Sequence, residues 1–136
     1  MSEETKAKIR TFVEEINKGN LNVIDEFFAP NVIIHMAPNP DMNLELYKQF
    51  VRGLYSAFPD LQFVREQIIM EGDSGALRYT AQGTHKGEFM GIAPTGNQVR
   101  WTGCEVTHWE GAKIVEGWWY VDALGMMLQM GVVPTQ

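Results

Sequence analysis

The spacing of apolar residues changes partway along the chain, from a helical period to a strand period. In the first part, apolar residues recur three and four positions apart, which predicts three helices. The first contains Ile9, Phe12, Val13 and Ile16 and ends at Gly19; the second is capped by Asn20 and ends at Pro30; the third carries Leu44, Tyr47, Phe50, Val51 and Leu54 and stops before Pro59.

From residue 61 onward the pattern predicts strands, over 61–71, 75–85, 98–110 and 113–121, with turns at 72–75 and at 111–112. A β-branched run at 32–36 predicts one further short strand, and apolar spacing over 124–130 predicts a last helix. Helices followed by long antiparallel strands indicate an α+β domain. Because so few helices cannot cover both faces of the sheet, we predict a strongly curved antiparallel sheet. It wraps around the N-terminal helices, bends at strand glycines and encloses one apolar cavity.

Composition narrows the class of protein. The chain has 136 residues, of which 45% are hydrophobic and 21% charged, as expected for one globular domain spanning 1–136. A net charge of −6 opposes nucleic-acid binding. A single cysteine, Cys104, allows no internal disulfide, and no Cys/His spacing resembles a metal site. Without a signal-peptide pattern or a membrane-length apolar run, we expect a cytoplasmic protein that does not contact the membrane.

Asp122 and His108 are the candidate catalytic residues, separated by 14 positions (122 − 108). Asp122 follows an aromatic strand and precedes the last helix, so it is either a helix N-cap or a pocket carboxylate, and the two roles are compatible. A strict two-residue turn would pair His108 with Val115 and would point His108 and Asp122 to opposite faces. One bulge, at Gly117 or just before Asp122, would restore a shared face.

Several other residues are candidates for the cavity wall or for an interface. The short strand contributes His35 and Met36, although His35 is equally consistent with a surface position. The expected substrate-binding residues further along the chain are Phe58, Trp101, Trp118 and Tyr120. His85 is interpreted as structural or as part of the rim. Glu105 and Glu116 are either buried acids or solvated partners of Arg100 and Lys113, and their hairpin positions favour the solvated pairs. Four tryptophans exceed what one small core easily buries, so Trp109 and Trp119 are expected to contribute to a homodimer interface.

Five segments of the chain together resemble the SnoaL-like polyketide cyclases: Ala57–Leu61, Gly83–Phe89, Gly91–Gly96, Lys113–Glu116 and Asp122–Gly131. The resemblance covers essentially the whole chain. It implies a nuclear-transport-factor-2-like fold, which is a cone-shaped α+β barrel with a deep pocket, usually dimeric. It also implies that Asp122 acts as the general acid/base with assistance from His108.

The implied reaction is an intramolecular aldol condensation that closes a ring of a hydrophobic, polyketide-like molecule without cofactor or metal. Two alternatives stay open, because fold does not fix function. A hydrolase or isomerase on the same scaffold would act on an epoxide or an ester. A binding module would use the pocket without chemistry and would be indifferent to the loss of the Asp122 carboxylate.

Overall fold

The computed structural model describes residues 2–132, and within that range the chain forms four helices and five strands. In chain order these are α1 (Ser2–Asn17), α2 (Val23–Phe27), β1 (Phe28–His35), α3 (Leu44–Ala57), β2 (Gln62–Glu71), β3 (Ser74–Thr84), β4 (Gln98–Glu110), β5 (Lys113–Val121) and α4 (Ala123–Gln129). The predicted α+β class is confirmed, and the four long strands lie within one residue of their predicted bounds. None of the described helices is long and apolar enough to cross a membrane.

All five strands belong to one curved sheet in the order β1-β5-β4-β3-β2. The pairs β2–β3, β3–β4 and β4–β5 are antiparallel, as predicted. The short edge strand, whose direction the sequence did not predict, pairs in parallel: β1 lies beside β5. β1 is also longer than predicted and includes Pro30, which the edge position and the register shift between Phe28 and Ile33 accommodate.

The ends of the first three helices show which of the predicted stop and cap residues act as such. Gly19 follows α1 with a φ of 82°, a conformation that glycine adopts without strain. Asn43 caps α3, since its side chain accepts a hydrogen bond from the Leu46 amide at 2.9 Å. The prediction that Asn20 caps α2 is wrong, because its amide nitrogen donates to the Glu15 carboxylate at 3.0 Å instead.

Side chains alternate across the sheet, so each strand has an inner face toward α1 and α3 and an outer face away from them. The odd-numbered positions of β4, and those of β5 from Gly117 onward, point inward, and Trp109 and Trp119 are only 3% and 5% exposed. The prediction that these two tryptophans form an exposed interface is therefore wrong. Trp119 packs there against other aromatic rings, with its ring centroid 6.1 Å from that of Phe28 and 5.6 Å from that of Tyr47.

A bulge does interrupt the β4–β5 hairpin, but at a different residue from the one predicted. His108 pairs with Glu116 and Trp109 pairs with Ile114, so the extra residue is Val115. From Glu116 onward, the bulge places the even-numbered residues of β5 on the same face as those of β4, as the sequence argument required. That face is the outer one, which decides where His108 and Asp122 lie.

Candidate active site

The space between the inner face and the helices contains a cavity of ≈ 110 Å³. Its wall is almost entirely apolar and aromatic, with side chains from α1, α3, α4 and strands β2 to β5. The polar groups on it are few: the carboxyl of Glu105, the hydroxyls of Tyr47 and Tyr79, and the indoles of Trp101 and Trp119. An apolar cleft with a small set of converging polar groups is the usual form of a small-molecule site.

Glu105 is the ionisable acid on this wall, and β4 positions it. It occupies an inward position between Gly103 and Thr107, directly opposite Trp119 of β5. Burial among apolar groups raises the pKa of the Glu105 carboxyl from 4.5 to about 7, and a hydrogen bond from the Trp119 side chain partly offsets that rise. Both the charged and the protonated form of Glu105 are therefore present near neutral pH.

Two tyrosines bring phenol groups to the same region. Tyr47 of α3 and Tyr79 of β3 are 8% and 9% exposed. Burial raises the pKa of each phenol above its usual range, and the negative charge of Glu105 raises it further. Both hydroxyls therefore keep their protons at physiological pH and can donate hydrogen bonds to a ligand oxygen.

Two glycines on the inner face let aromatic side chains lie close to the strands. A Cβ at Gly103 would stand 2.4 Å from the Tyr79 hydroxyl oxygen, and a Cβ at Gly117 would meet the Trp119 ring equally closely. The glycines expected to bend the sheet thus have a second use, because they let Tyr79 and Trp119 settle beside Glu105. The polar end of the cavity depends on these two positions.

The predicted substrate-binding residues divide into three groups. Met36 and Trp101 line the cavity, as expected. Phe58 is fully buried one layer behind the wall, with its ring 5.2 Å from Trp101 and 5.5 Å from Phe89. It supports the wall without being part of it.

The remaining three, His35, Trp118 and Tyr120, lie on the outer face. Because Trp119 points inward, its neighbours on β5 point outward, and Tyr120 is 58% exposed. His35 stacks on Trp118 with 5.2 Å between ring centroids. The prediction that these side chains line the cavity is wrong, since the Val115 bulge sets the opposite alternation.

His35 forms a small polar cluster at that surface. Its Nδ1 bonds Asp41 at 2.8 Å and its Nε2 bonds Glu116 at 2.7 Å. The hydrogen bonds to Glu116 and Asp41 raise the pKa of the imidazole. Glu116 is thus a partner of His35, whereas the sequence suggested a pair with Lys113.

Asp122 and His108 are not brought together. His108 pairs with Glu116, and Asp122 lies six residues further along the chain, which corresponds to about 20 Å at the rise of a strand. Asp122 is exposed, and its Oδ1 accepts a hydrogen bond from the Gly125 amide at 2.9 Å, so it caps α4. The prediction of a shared cavity fails on this geometry, while the helix-cap interpretation of Asp122 is confirmed.

Sequence reasoning missed Glu105, Tyr47 and Tyr79 as site residues. The signal was present for Glu105, because the odd positions of β4 form a continuous buried stripe that includes Val99, Trp101 and Trp109. A glutamate within such a stripe is a buried acid. Tyr47 and Tyr79 carried no comparable signal, since tyrosines at core spacing are usually packing residues.

His85 is fully buried at the end of β3, and its Nδ1 lies 3.0 Å from the Thr95 hydroxyl. This confirms the structural interpretation of that histidine. Within residues 2–132, no three His, Cys, Asp or Glu side chains are grouped to hold a metal ion.

Comparison with known proteins identifies relatives over nearly the full chain. The sequence profile of the SnoaL-like polyketide cyclases matches residues 7–130. No curated protein matches the chain. Among solved structures, AclR from Streptomyces galilaeus, a proposed hydroxylase, is similar with 32% identity and a TM-score of 0.89, over 97% of this chain and 87% of AclR.

Two further structures extend the comparison. IdmH from Streptomyces antibioticus, a proposed polyketide cyclase, has 31% identity and a TM-score of 0.82, over 94% of this chain and 99% of IdmH. A proposed polyketide cyclase from Acidithiobacillus ferrooxidans has 26% identity and a TM-score of 0.82, over 96% of both chains. The match over residues 7–130 and the shared α+β barrel show that this chain belongs to the SnoaL-like polyketide cyclase family.

Proposed function

We propose that the protein is a cyclase that closes a ring in a hydrophobic, polyketide-like molecule by an intramolecular aldol condensation, with Glu105 as the proton carrier. The observation that carries the proposal is the position of Glu105 on the apolar cavity wall with its pKa raised to about 7. A general acid/base works best when its pKa lies near the working pH. Family membership supports the substrate class.

The reaction needs one group that can both accept and donate a proton. As a carboxylate, Glu105 removes a proton from the carbon next to a substrate carbonyl and leaves an enolate. The enolate carbon attacks a second carbonyl in the same molecule, and a carbon–carbon bond forms as that carbonyl becomes an alkoxide. The protonated Glu105 then gives its proton to the alkoxide, so the carboxylate is regenerated without cofactor or metal.

Tyr47 and Tyr79 fit the second requirement, which is to stabilise the oxygen that develops negative charge. Their phenols keep their protons because burial raises the pKa of both. In an apolar cavity, a fixed O–H donor stabilises an oxyanion more strongly than water does. The Trp119 indole donates to the carboxylate of Glu105 and orients it without competing for the substrate.

The cavity wall also suits a folded, ring-shaped substrate. Flat aromatic side chains such as Trp101, Trp119 and Phe89 surround a volume of ≈ 110 Å³. A flexible chain that folds against such a wall brings its two reacting carbons together, which lowers the entropic part of the barrier. We therefore expect specificity for compact aromatic or polyketone substrates.

The test compares Glu105→Gln with Asp122→Asn on ring closure of an aromatic polyketide ester, with the open and closed isomers separated by liquid chromatography and each quantified. We expect Glu105→Gln to lower turnover about a hundredfold or more, as is typical for loss of a general acid/base. Asp122→Asn should leave turnover unchanged. The reverse result would restore the Asp122–His108 pair predicted from the sequence. Unchanged turnover in both variants would refute acid/base catalysis by either group.

We further propose that the protein is a homodimer, with the outer face of the sheet as its interface. Ile33, Val106 and Tyr120 are 47%, 38% and 58% exposed there, on three adjacent strands, beside the half-buried ring of Trp118. Contiguous apolar surface of this kind marks contact sites. This face replaces the one around Trp109 and Trp119 that the sequence suggested.

A further inference from the structure

Glu105 borders two cavities, and the mechanism uses only one of them. The second cavity, of ≈ 20 Å³, lies between α1, α2 and the inner face of the sheet. Phe12, Leu77 and Glu105 are shared by the two linings, so the Glu105 side chain lies at the division between them. A volume of about 10–15 Å³ is enough to hold one water molecule.

The polar side-chain groups on the small cavity are those of Glu105, Thr107 and Trp109, and the Trp109 indole already donates to the Thr107 hydroxyl. The rest of its lining consists of aliphatic and aromatic residues, among them Ile9, Phe27 and Ile114. A water molecule needs at least two polar partners to remain ordered in such a place. Glu105 and Thr107 supply that number.

Thr107 has an unused donor. Its side chain is buried, at 6% exposure, and its hydroxyl oxygen accepts a hydrogen bond from the Trp109 indole at 2.9 Å. Among residues 2–132, the hydroxyl proton of Thr107 has no recorded acceptor. A buried donor without an acceptor is costly, so an acceptor in the small cavity would be favoured.

The spacing of the two polar groups fits one bridging molecule. Glu105 and Thr107 are two residues apart on the same face of β4, which corresponds to about 6.6 Å along a strand. This is the separation along the backbone; because both side chains line the same small cavity, one water molecule, which joins polar atoms up to about 5.6 Å apart, can contact both.

We propose that the small cavity is a binding site for a single ordered water, which accepts a hydrogen bond from the Thr107 hydroxyl and donates one to the Glu105 carboxylate. The water binds the carboxyl oxygen away from the main cavity and leaves the other oxygen for the substrate. Thr107 is then a positioning residue that acts on Glu105 through the water. This inference rests on the proposed function only in the role it gives to Glu105.

The site has a consequence for titration, because a hydrogen bond donated to the charged form lowers the pKa of an acid. The other groups that face Glu105 are Tyr47 of α3, Tyr79 of β3 and the Trp119 indole of β5, while α1 presents the apolar Phe12. None of these contacts involves Thr107, whose hydroxyl bonds the Trp109 indole. A change in the pKa of Glu105 on loss of the Thr107 hydroxyl, read together with a water located in the crystal structure, therefore reports the water.

The direct test is a high-resolution crystal structure of the wild-type protein. We expect one water oxygen within about 3.2 Å of both the Thr107 hydroxyl and the Glu105 carboxyl. A dry cavity, or a water bound to only one of the two groups, would overturn the proposal. This test needs no variant and does not depend on how any substitution folds.

The second test follows the Glu105 titration by tryptophan fluorescence, since Trp119 contacts the carboxyl; the Glu105→Gln variant identifies the transition by its absence. Thr107→Val keeps the shape but removes the hydroxyl, and should raise the transition midpoint by about half to one pH unit. Thr107→Ser keeps the hydroxyl and should retain the wild-type midpoint. Thr102→Val, on the outer face of the same strand, is the matched control. A wild-type midpoint in Thr107→Val would contradict the bridge.

The outcomes of these two tests can be told apart from a failure of the proposed function. If Glu105→Gln retains full turnover while the water and the midpoint shift are observed, the water site stands and the catalytic role of Glu105 falls. If turnover is lost in Glu105→Gln but the cavity is dry, the catalytic role stands and the water site falls.

Discussion

Glu105 and Trp119 lie directly opposite each other on β4 and β5, and both point into the cavity. They are 14 residues apart (119 − 105), the same separation as His108 and Asp122, which point outward. Equal sequence separation makes a cross-strand pair only in the first case, because the partner of His108 across the hairpin is Glu116. Only the first places an acid against an indole donor in an apolar surrounding, where its pKa is raised.

The first prediction concerns the pH dependence of stability. Because burial raises the pKa of Glu105 from 4.5 to about 7, the native state holds a proton that the unfolded state has lost between those values. The contribution of Glu105 to the free energy of unfolding is therefore fully present below about pH 4.5 and is lost as pH rises through 7. The loss is at most about 3 kcal/mol, at 1.36 kcal/mol per pKa unit.

Urea unfolding of the wild type and Glu105→Gln at pH 5, 6, 7 and 8 measures this term. We expect the variant to lack the decline and to be the more stable protein at pH 8. Parallel stability curves for the two proteins would show that Glu105 is solvated.

The second prediction concerns the titration of His35 on the outer face of the sheet. Hydrogen bonds to Glu116 and Asp41 raise the pKa of His35, so its contribution to stability is present below its unfolded pKa of about 6.5 and is lost as pH rises through the higher folded value. The His35 side chain is 27% exposed, so we expect no more than about 1 kcal/mol.

The difference in unfolding free energy between the wild type and His35→Gln measures the His35 contribution. It should be largest near pH 5 and should fade above pH 8. Salt should reduce it, because partly exposed ion pairs are screened. A difference that does not vary with pH would mean that the imidazole is uncharged in this cluster.

The sequence predicted the limits of the long strands correctly but the directions of their side chains incorrectly, and the difference has one physical reason. Strand limits depend on local signals, such as the turn at Gly111-Ala112, and the limits of the four long strands agree with the structure within one residue, whereas β1 begins four residues earlier than predicted. Side-chain direction depends on register, and a single extra residue reverses it along the remainder of a strand. The bulge at Val115 is not marked by glycine, so nothing local to the sequence located it. As a result, Trp118 and Trp119 each point to the face opposite to the one that was predicted.

Asp122 provides a third prediction, about the start of α4. Its carboxylate accepts from the Gly125 amide, and a Cβ at Gly125 would stand within 3 Å of that carboxylate. Asp122→Ala should lower the free energy of unfolding by about 1 kcal/mol, whereas Asp122→Asn should be nearly neutral because asparagine caps as well as aspartate. Thermal unfolding of the two variants measures this. Equal destabilisation by both would show that the charge, and not the cap, is what matters.

The last prediction concerns assembly. Val106 lies at the centre of the outer face, on β4, and is 38% exposed, while Leu46 on α3 is 46% exposed at a site away from the sheet. Val106→Lys introduces a charge that dimer formation would have to desolvate, so it should weaken the dimer tenfold or more, which corresponds to about 1.4 kcal/mol. Leu46→Lys changes the same kind of surface and should leave the dimer intact.

Light scattering at micromolar concentration should give twice the 15.4 kDa chain mass for the wild type and for Leu46→Lys, and a lower mass for Val106→Lys. A monomeric wild type would refute the dimer altogether. A dimer that is weakened equally by both variants would place the interface elsewhere. Because Glu105 and Val106 are neighbours on β4 with opposite directions, the same variant also shows whether the interface supports the cavity. Loss of the Glu105 fluorescence transition together with the dimer would mean that it does.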